Sequence, residues 1–175
     1  MRPEARQCIG KLKEMGIRTV LLSGDTRKKC ELISSELGLD EVHAEKTPEE
    51  KLRIVEQLQA KAIVAYVGDG INDAPSLAKA AVGISLSDAT HVAIQSADII
   101  LLRGNLSLLI DSIFLAKHTL LTIKQNLFWA FSYNLVAIPL AALGMLNPMV
   151  AAFAMGFSDV MTIGNSIRLK TKRLK

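Results

Sequence analysis

The residues best suited to chemistry form the run Gly68-Asp69-Gly70-Ile71-Asn72-Asp73-Ala74-Pro75. It follows an apolar, β-rich segment at 62–67 and precedes a helical pattern, so it occupies the turn from a strand into a helix. Asp69 and Asp73 are separated by one turn across the loop and helix start, which lets both carboxylates face one hard cation. Mg²⁺ suits such a pair, because it takes one or two protein carboxylates and keeps its other positions for water and phosphate oxygens. Gly68 and Gly70 let the backbone come close to a phosphoryl group, and Asn72 is placed to orient it.

Two further places fit the same chemistry. Ser23-Gly24-Asp25 follows the short β-rich run 18–22 and precedes a helix, where a hydroxyl and backbone N–H groups suit a phosphate oxygen. Ser-Gly-Asp is also a common turn, and taken alone it supports either reading. Lys51 lies three residues past Pro48, near the start of a helix, where its ammonium can neutralise phosphate charge. A helix lysine in isolation is ordinarily just solvated.

These residues need a scaffold that brings them to one edge. Apolar residues at Ala5, Cys8, Ile9, Leu12 and Met15 make a helical stripe over 3–15, closed by Gly16. The spacing then predicts a strand at 18–22, a helix at 27–37 closed by Gly38, a short strand at 42–44, and a helix to about Ala60 with a capped start at Thr47-Pro48-Glu49-Glu50. Residues 62–67 read as a strand covered on both faces, 71–80 as a short helix, 82–84 and 98–102 as strands, and 105–124 as a long helix. Alternating elements of these lengths imply an α/β fold with a mostly parallel, Rossmann-like sheet, whose functional loops lie at the carboxyl ends of its strands. Cys8 and Cys30 have no CxxC or Cys/His spacing and read as reduced structural thiols.

The composition changes near Lys124, which predicts a soluble domain at 1–124 and a membrane part at 125–175. Residues 127–146 contain no charged side chain, and 148–169 contain only Asp159 and Arg168. Each stretch has about the 20 residues that cross a bilayer core, so a hairpin of two transmembrane helices is expected. Lys117, His118 and Lys124 precede it and Arg168, Lys170, Lys172, Arg173 and Lys175 follow, which places the soluble part and both termini in the cytoplasm. The net charge of +4 is largely this tail, and favours anionic lipid headgroups over nucleic acid as a partner. Polar groups inside a span are functional candidates: Tyr133 and Asn134 in the first, and Met155, Ser158 and Asp159 on one face of the second. Thioether, amide, hydroxyl and carboxylate can all bind a transported ion, while hydrogen bonding between helices accounts equally well for Tyr133 and Asn134.

Taken together, Ser23, Lys51 and the GDGINDAP run resemble the haloacid-dehalogenase superfamily, and that run resembles the hinge motif of P-type ATPases. The resemblance implies that Asp69 and Asp73 hold Mg²⁺, that Ser23 and Gly24 contact the phosphoryl group, that Asp25 supports their loop, and that Lys51 neutralises phosphate. Two membrane helices after this half-domain are similar to the end of the heavy-metal branch. The Tyr133-Asn134 pair and the Asn147-Pro148-Met149 and Met155-x-x-Ser158 order resemble its copper-exporting members, although Asp159 stands where those usually have a second Ser. The implied activity is ATP-driven metal export through an aspartyl-phosphate, with Mg²⁺ and ATP as cofactors and Cu⁺ or another soft metal as cargo. No DKTGT nucleophile motif, CPC motif or ATP-binding domain occurs in the chain, which is expected to need the N-terminal portion of a pump. The alternatives are an inactive remnant or a membrane-anchored phosphatase of the dehalogenase type.

Overall fold

The computed structural model of the chain describes residues 3–86, 91–145 and 147–171. They fall into two compact units, Met1–Ile110 and Asp111–Lys175. In the first, helix α1 (Ala5–Glu14), strand β1 (Val20–Leu22), helix α2 (Arg27–Leu37), strand β2 (Glu41–His43), helix α3 (Pro48–Gln59) and strand β3 (Ala65–Gly68) alternate. A 3₁₀ turn (Ile71–Asp73), helix α4 (Ala74–Lys79), strand β4 (Val82–Leu86), helix α5 (His91–Gln95) and strand β5 (Ile99–Leu101) follow.

Every ladder is parallel, as the alternation requires, but the strands form two sheets: β1 with β2, and β3, β4 and β5 in that order. The single sheet expected from sequence is therefore divided between β1 and β3. Side chains still join the two parts, because Leu22 of β1 packs with Val64 and Ala80 against the buried cluster of Val55, Tyr66, Leu77 and Ala93. Burying apolar surface there supplies the main driving force for this unit.

Local signals explain most boundaries. Gly38 ends α2 with a left-handed φ of 68°, and the Leu39 N–H bonds back to Ser34 O at 3.0 Å, a closure that a side chain at Gly38 would strain. Strand β3 begins at Ala65 instead of Ala62, because the Lys61 and Ala62 N–H groups still bond to Leu58 O in the turn that finishes α3. Its burial alternates: Tyr66 and Gly68 are covered while Ala65 and Val67 are exposed, so the two-sided cover expected from its apolar run is found on one face only.

The second unit contains most of helix α6 (Ser107–Ala142) and helix α7 (Pro148–Thr171). Gly144 closes α6, with the Met145 N–H on Leu140 O at 3.0 Å, and Asn147 Oδ1 caps α7 by accepting from the Met149 N–H at 2.9 Å. Two helices thus stand where the hairpin was expected, but among the described residues no helix is long and apolar enough to cross a membrane. Helix α6 stops at Ala142, leaving the last residues of the charge-free run outside it, and Tyr133, Asn134, Asp159 and Asn165 lower the apolarity of the two helices. Leu146 and the basic tail residues Lys172, Arg173 and Lys175 lie outside the described residues.

Candidate metal and phosphate site

Helix α3 positions Lys51. Pro48 occupies its first turn, the Glu50 N–H donates to the Thr47 hydroxyl at 3.3 Å, and the Thr47 N–H donates to the Glu50 carboxylate at 2.9 Å. This reciprocal cap sets the first turn and so the direction from which Lys51 leaves it. Its ammonium reaches Asp73 Oδ1 at 2.9 Å, and the two side chains are only 12% and 14% exposed. Lys51 is a half-buried ion-pair partner, and not the solvated helix lysine that its position alone allows.

Asp73 receives a second donor on the same oxygen, the Tyr66 hydroxyl at 2.8 Å. Tyr66 escaped the sequence reading, although strand alternation puts it on the same face as Gly68, and a lone hydroxyl in an apolar strand two residues before the motif is a usable signal. Burial pushes its phenol well above the ordinary value, and the charge of Asp73 adds to this, with a smaller contribution from Asp69. Tyr66 therefore stays protonated and donates. Asp73 thus sits at the carboxyl end of β3, held by a donor from the strand and one from α3.

Gly68 makes room for this arrangement. A Cβ on Gly68 would lie 2.9 Å from the Asp73 Cβ and 3.1 Å from the Tyr66 ring, whereas one on Gly70 would stand 3.4 Å from Asp73 Oδ2, an ordinary contact. Asp73 thus folds back over the strand end in a space that only glycine leaves open. Asp69 and Asn72 are exposed in the same loop.

Ser23, Gly24 and Asp25 form a tight turn after β1. The Asp25 N–H donates to Ser23 Oγ at 3.1 Å, the Ser23 hydroxyl donates to Asp25 Oδ2 at 3.3 Å, and Lys29 reaches Asp25 Oδ1 at 2.8 Å. The hydrogen bond and charge of Lys29 hold the Asp25 carboxyl below its usual range, with Ser23 and the charge of Lys51 adding smaller effects. Lys51 thus acts electrically on this turn while bonded to Asp73 in the other. A Cβ on Gly24 would meet Lys46 O at 3.4 Å, in a loop tied down by the Lys46 N–H on Ser23 O at 3.0 Å.

Among the described residues no group of three or more His, Cys, Asp and Glu side chains gathers as a metal cage. Mg²⁺ asks for less, and the pair at this strand end, with the cradle that Gly68 leaves for Asp73, fits an ion that also needs water and phosphate oxygens.

In the second unit the candidate residues do different things. The Tyr133 hydroxyl donates to Ala151 O at 3.0 Å and so links α6 to α7, while the Asn134 amide donates to Ala130 O of its own helix at 3.1 Å. Met155 and Asp159 are exposed and Ser158 is half-buried. Asn165 and Ser166 join the two helices: Asn165 donates to Asn126 at 2.8 Å and Gln125 at 3.3 Å, and Asn126 donates to Ser166 at 3.0 Å.

The family model described as haloacid dehalogenase-like hydrolase matches residues 1–81. A copper-exporting P-type ATPase of Staphylococcus haemolyticus (strain JCSC1435) is 46% identical over 175 residues, covering 99% of this chain and 22% of that protein. Its counterpart in Staphylococcus aureus (strain JH9) is 45% identical over 176 residues, with 100% and 22% covered. Among solved structures, a zinc-transporting PIB-type ATPase in the E2.Pi state matches with a TM-score of 0.92 at 36% identity, over 97% of this chain and 28% of that one. The chain spans about a fifth of the length of the curated relatives it matches. The α/β unit that carries Lys51, Asp69 and Asp73 is similar to haloacid dehalogenase-like hydrolases over residues 1–81.

Proposed function

We propose that this chain is part of an ATP-driven pump that translocates a heavy metal, with copper as its cargo. The observation that carries the reading is the convergence of Lys51 on Asp73 at the end of β3, beside Asp69, where a phosphoryl group and its counter-ion would sit. Mg²⁺ bound there would offset phosphoryl charge during transfer and hydrolysis. Asp69 and Asp73 hold that ion, Lys51 supplies a fixed positive charge, and Ser23 with the N–H groups around Gly24 offers donors to phosphate oxygens. Asn72, exposed in the loop, orients the group. The chain has no DKTGT run, so the acceptor aspartate and the ATP site belong to an N-terminal portion of a longer pump.

The experiment is to place Asp69→Asn and Asp73→Asn separately in a full-length pump carrying this segment. Each is expected to abolish phosphoenzyme formation from ATP while the protein stays folded; normal phosphoenzyme in both removes the assignment.

Residues 125–175 are read as the membrane part, after a cytoplasmic domain at 1–124. What supports this is the charge-free run 127–146 and the large apolar side chains that α6 and α7 leave uncovered, Phe128, Phe131, Leu135 and Phe157 among them. Lipid or neighbouring helices would cover them. Tyr133, Asn134, Met155, Ser158 and Asp159 are proposed to line the ion path, with the soft thioether of Met155 favouring Cu⁺. The copper names of the relatives at 45–46% identity support that metal over the zinc of the structure matched at 36%. A carboxylate near the middle of a span costs about 2.5–3.5 kcal/mol to insert, so Asp159 is expected to serve transport. In the full-length pump Asp159→Leu should depress Cu⁺-stimulated ATP hydrolysis, and unchanged turnover and transport would reduce Asp159 to a tolerated group.

A further inference from the structure

Asp73 carries an asymmetry that metal binding by two carboxylates does not require. Lys51 at 2.9 Å and Tyr66 at 2.8 Å both donate to Oδ1, and neither uses Oδ2. Oδ2 instead lies on the loop side, 3.4 Å from where a Gly70 Cβ would stand. Two donors on one oxygen hold the carboxylate plane and consume that oxygen's acceptor capacity. The ring of Tyr66 is itself held, because it belongs to the buried cluster with Val55, Leu77 and Ala93. A carboxylate held this way presents one oxygen to a cation at the loop, and cannot turn to present two.

We infer that Tyr66 is a specificity-determining positioning residue: with Lys51 it restricts Asp73 to one-oxygen coordination through Oδ2, and so favours Mg²⁺ over Ca²⁺. This rests on the reading of Asp69 and Asp73 as the metal pair. The physical reason is the difference between the ions. Mg²⁺ demands a near-ideal octahedron at about 2.0–2.1 Å and takes carboxylates one oxygen at a time, whereas Ca²⁺ accepts six to eight oxygens and readily takes a carboxylate by both. Removing the phenolic hydroxyl frees one side of Oδ1. Asp73 can then rotate about its Lys51 contact and offer both oxygens, an arrangement that suits Ca²⁺ and disturbs the octahedron of Mg²⁺.

The test is competition of Mg²⁺ and of Ca²⁺ against Mn²⁺, whose free-ion paramagnetic resonance signal reports the bound fraction, on the whole chain in detergent. Tyr66→Phe keeps the buried ring and removes only the hydroxyl. It is expected to weaken Mg²⁺ by about tenfold, the usual scale for a lost outer-shell partner, and to weaken Ca²⁺ less, so that the Mg²⁺/Ca²⁺ affinity ratio falls. Tyr66→Met, which fills the space with a flexible apolar chain, carries the same expectation should phenylalanine disturb the packing. Equal weakening of both ions, or an unchanged ratio, overturns the inference, since a role in packing alone moves both ions together. Wild-type Mn²⁺ binding that survives in both Asp69→Asn and Asp73→Asn, or is absent altogether, overturns the metal-pair reading itself; loss in both aspartate variants with an unchanged ratio in Tyr66→Phe overturns only the role of Tyr66.

Discussion

Asp73 shows how much of a site's geometry rests on small spaces. Its side chain reaches back over Gly68 to meet Tyr66 and Lys51, and a Cβ on Gly68 would stand 2.9 Å from its own Cβ. Two carbon atoms do not approach that closely, so Gly68→Ala must turn Asp73 out of its pair with Lys51. The expected cost is about 1–3 kcal/mol of stability, as for other overpacked sites, together with loss of Mn²⁺ binding. Gly70→Ala makes the natural control: its Cβ meets Asp73 Oδ2 at 3.4 Å and its φ of −97° suits any residue. That variant should stay within about 0.5 kcal/mol of wild type in chemical denaturation. Equal effects of the two substitutions would show that the close approach at Gly68 is not what holds Asp73.

Helix α3 delivers Lys51 to the site only because its first turn is well formed. Thr47→Ala removes the hydroxyl that accepts from the Glu50 N–H and should cost about 1 kcal/mol, measurable as a shift in the unfolding midpoint. The other half of the cap titrates. The Thr47 backbone N–H holds the Glu50 carboxyl below its ordinary value, and Lys46 contributes further. A carboxylate whose folded value is depressed stabilises fully above its unfolded value, near 4.3, and loses that contribution as pH falls through the lower folded value. Wild type should therefore lose stability between about pH 4.3 and the acid end of the titration more steeply than Glu50→Gln, which carries no such proton linkage. Parallel pH profiles for the two would mean that the cap is not formed in solution.

Beyond single elements, the molecule leaves an unusual amount of apolar surface uncovered. Val67 on the open face of β3 is 38% exposed, and along α6 and α7 Leu135 at 77% and Phe153 at 75% have no cover. An exposed apolar surface of this extent belongs against lipid or another polypeptide. An accessible tag at Asn147 should be labelled from outside the cell in a full-length pump, while one before Pro3 should be labelled only after permeabilisation. A tag at Asn147 protected from outside reagents would place the turn in the cytoplasm and remove the hairpin.

The sequence by itself determined those features that depend on neighbours along the chain. The extent of α2 follows from its helical spacing and Gly38, the start of α3 from Thr47-Pro48, and the loop character of Asp69 from the strand-to-helix change around it. Parallel pairing was legible too, because short strands separated by helices leave little else. Tertiary structure decided the rest, because it depends on which distant groups meet. Residues 22 positions apart announce no bond in any local pattern, yet Lys51 lies on Asp73 because α3 packs beside the 3₁₀ turn. Tyr66 joined the site only when its ring was buried with its hydroxyl aimed at the same carboxylate. The apolar run before Gly68 predicts cover on both faces, but apolarity records what a surface needs and not whether a partner covers it. In α6 and α7 the contacts of Asn126 with Asn165 and Ser166 likewise came from two helices placed side by side, which hydropathy along either one does not reveal.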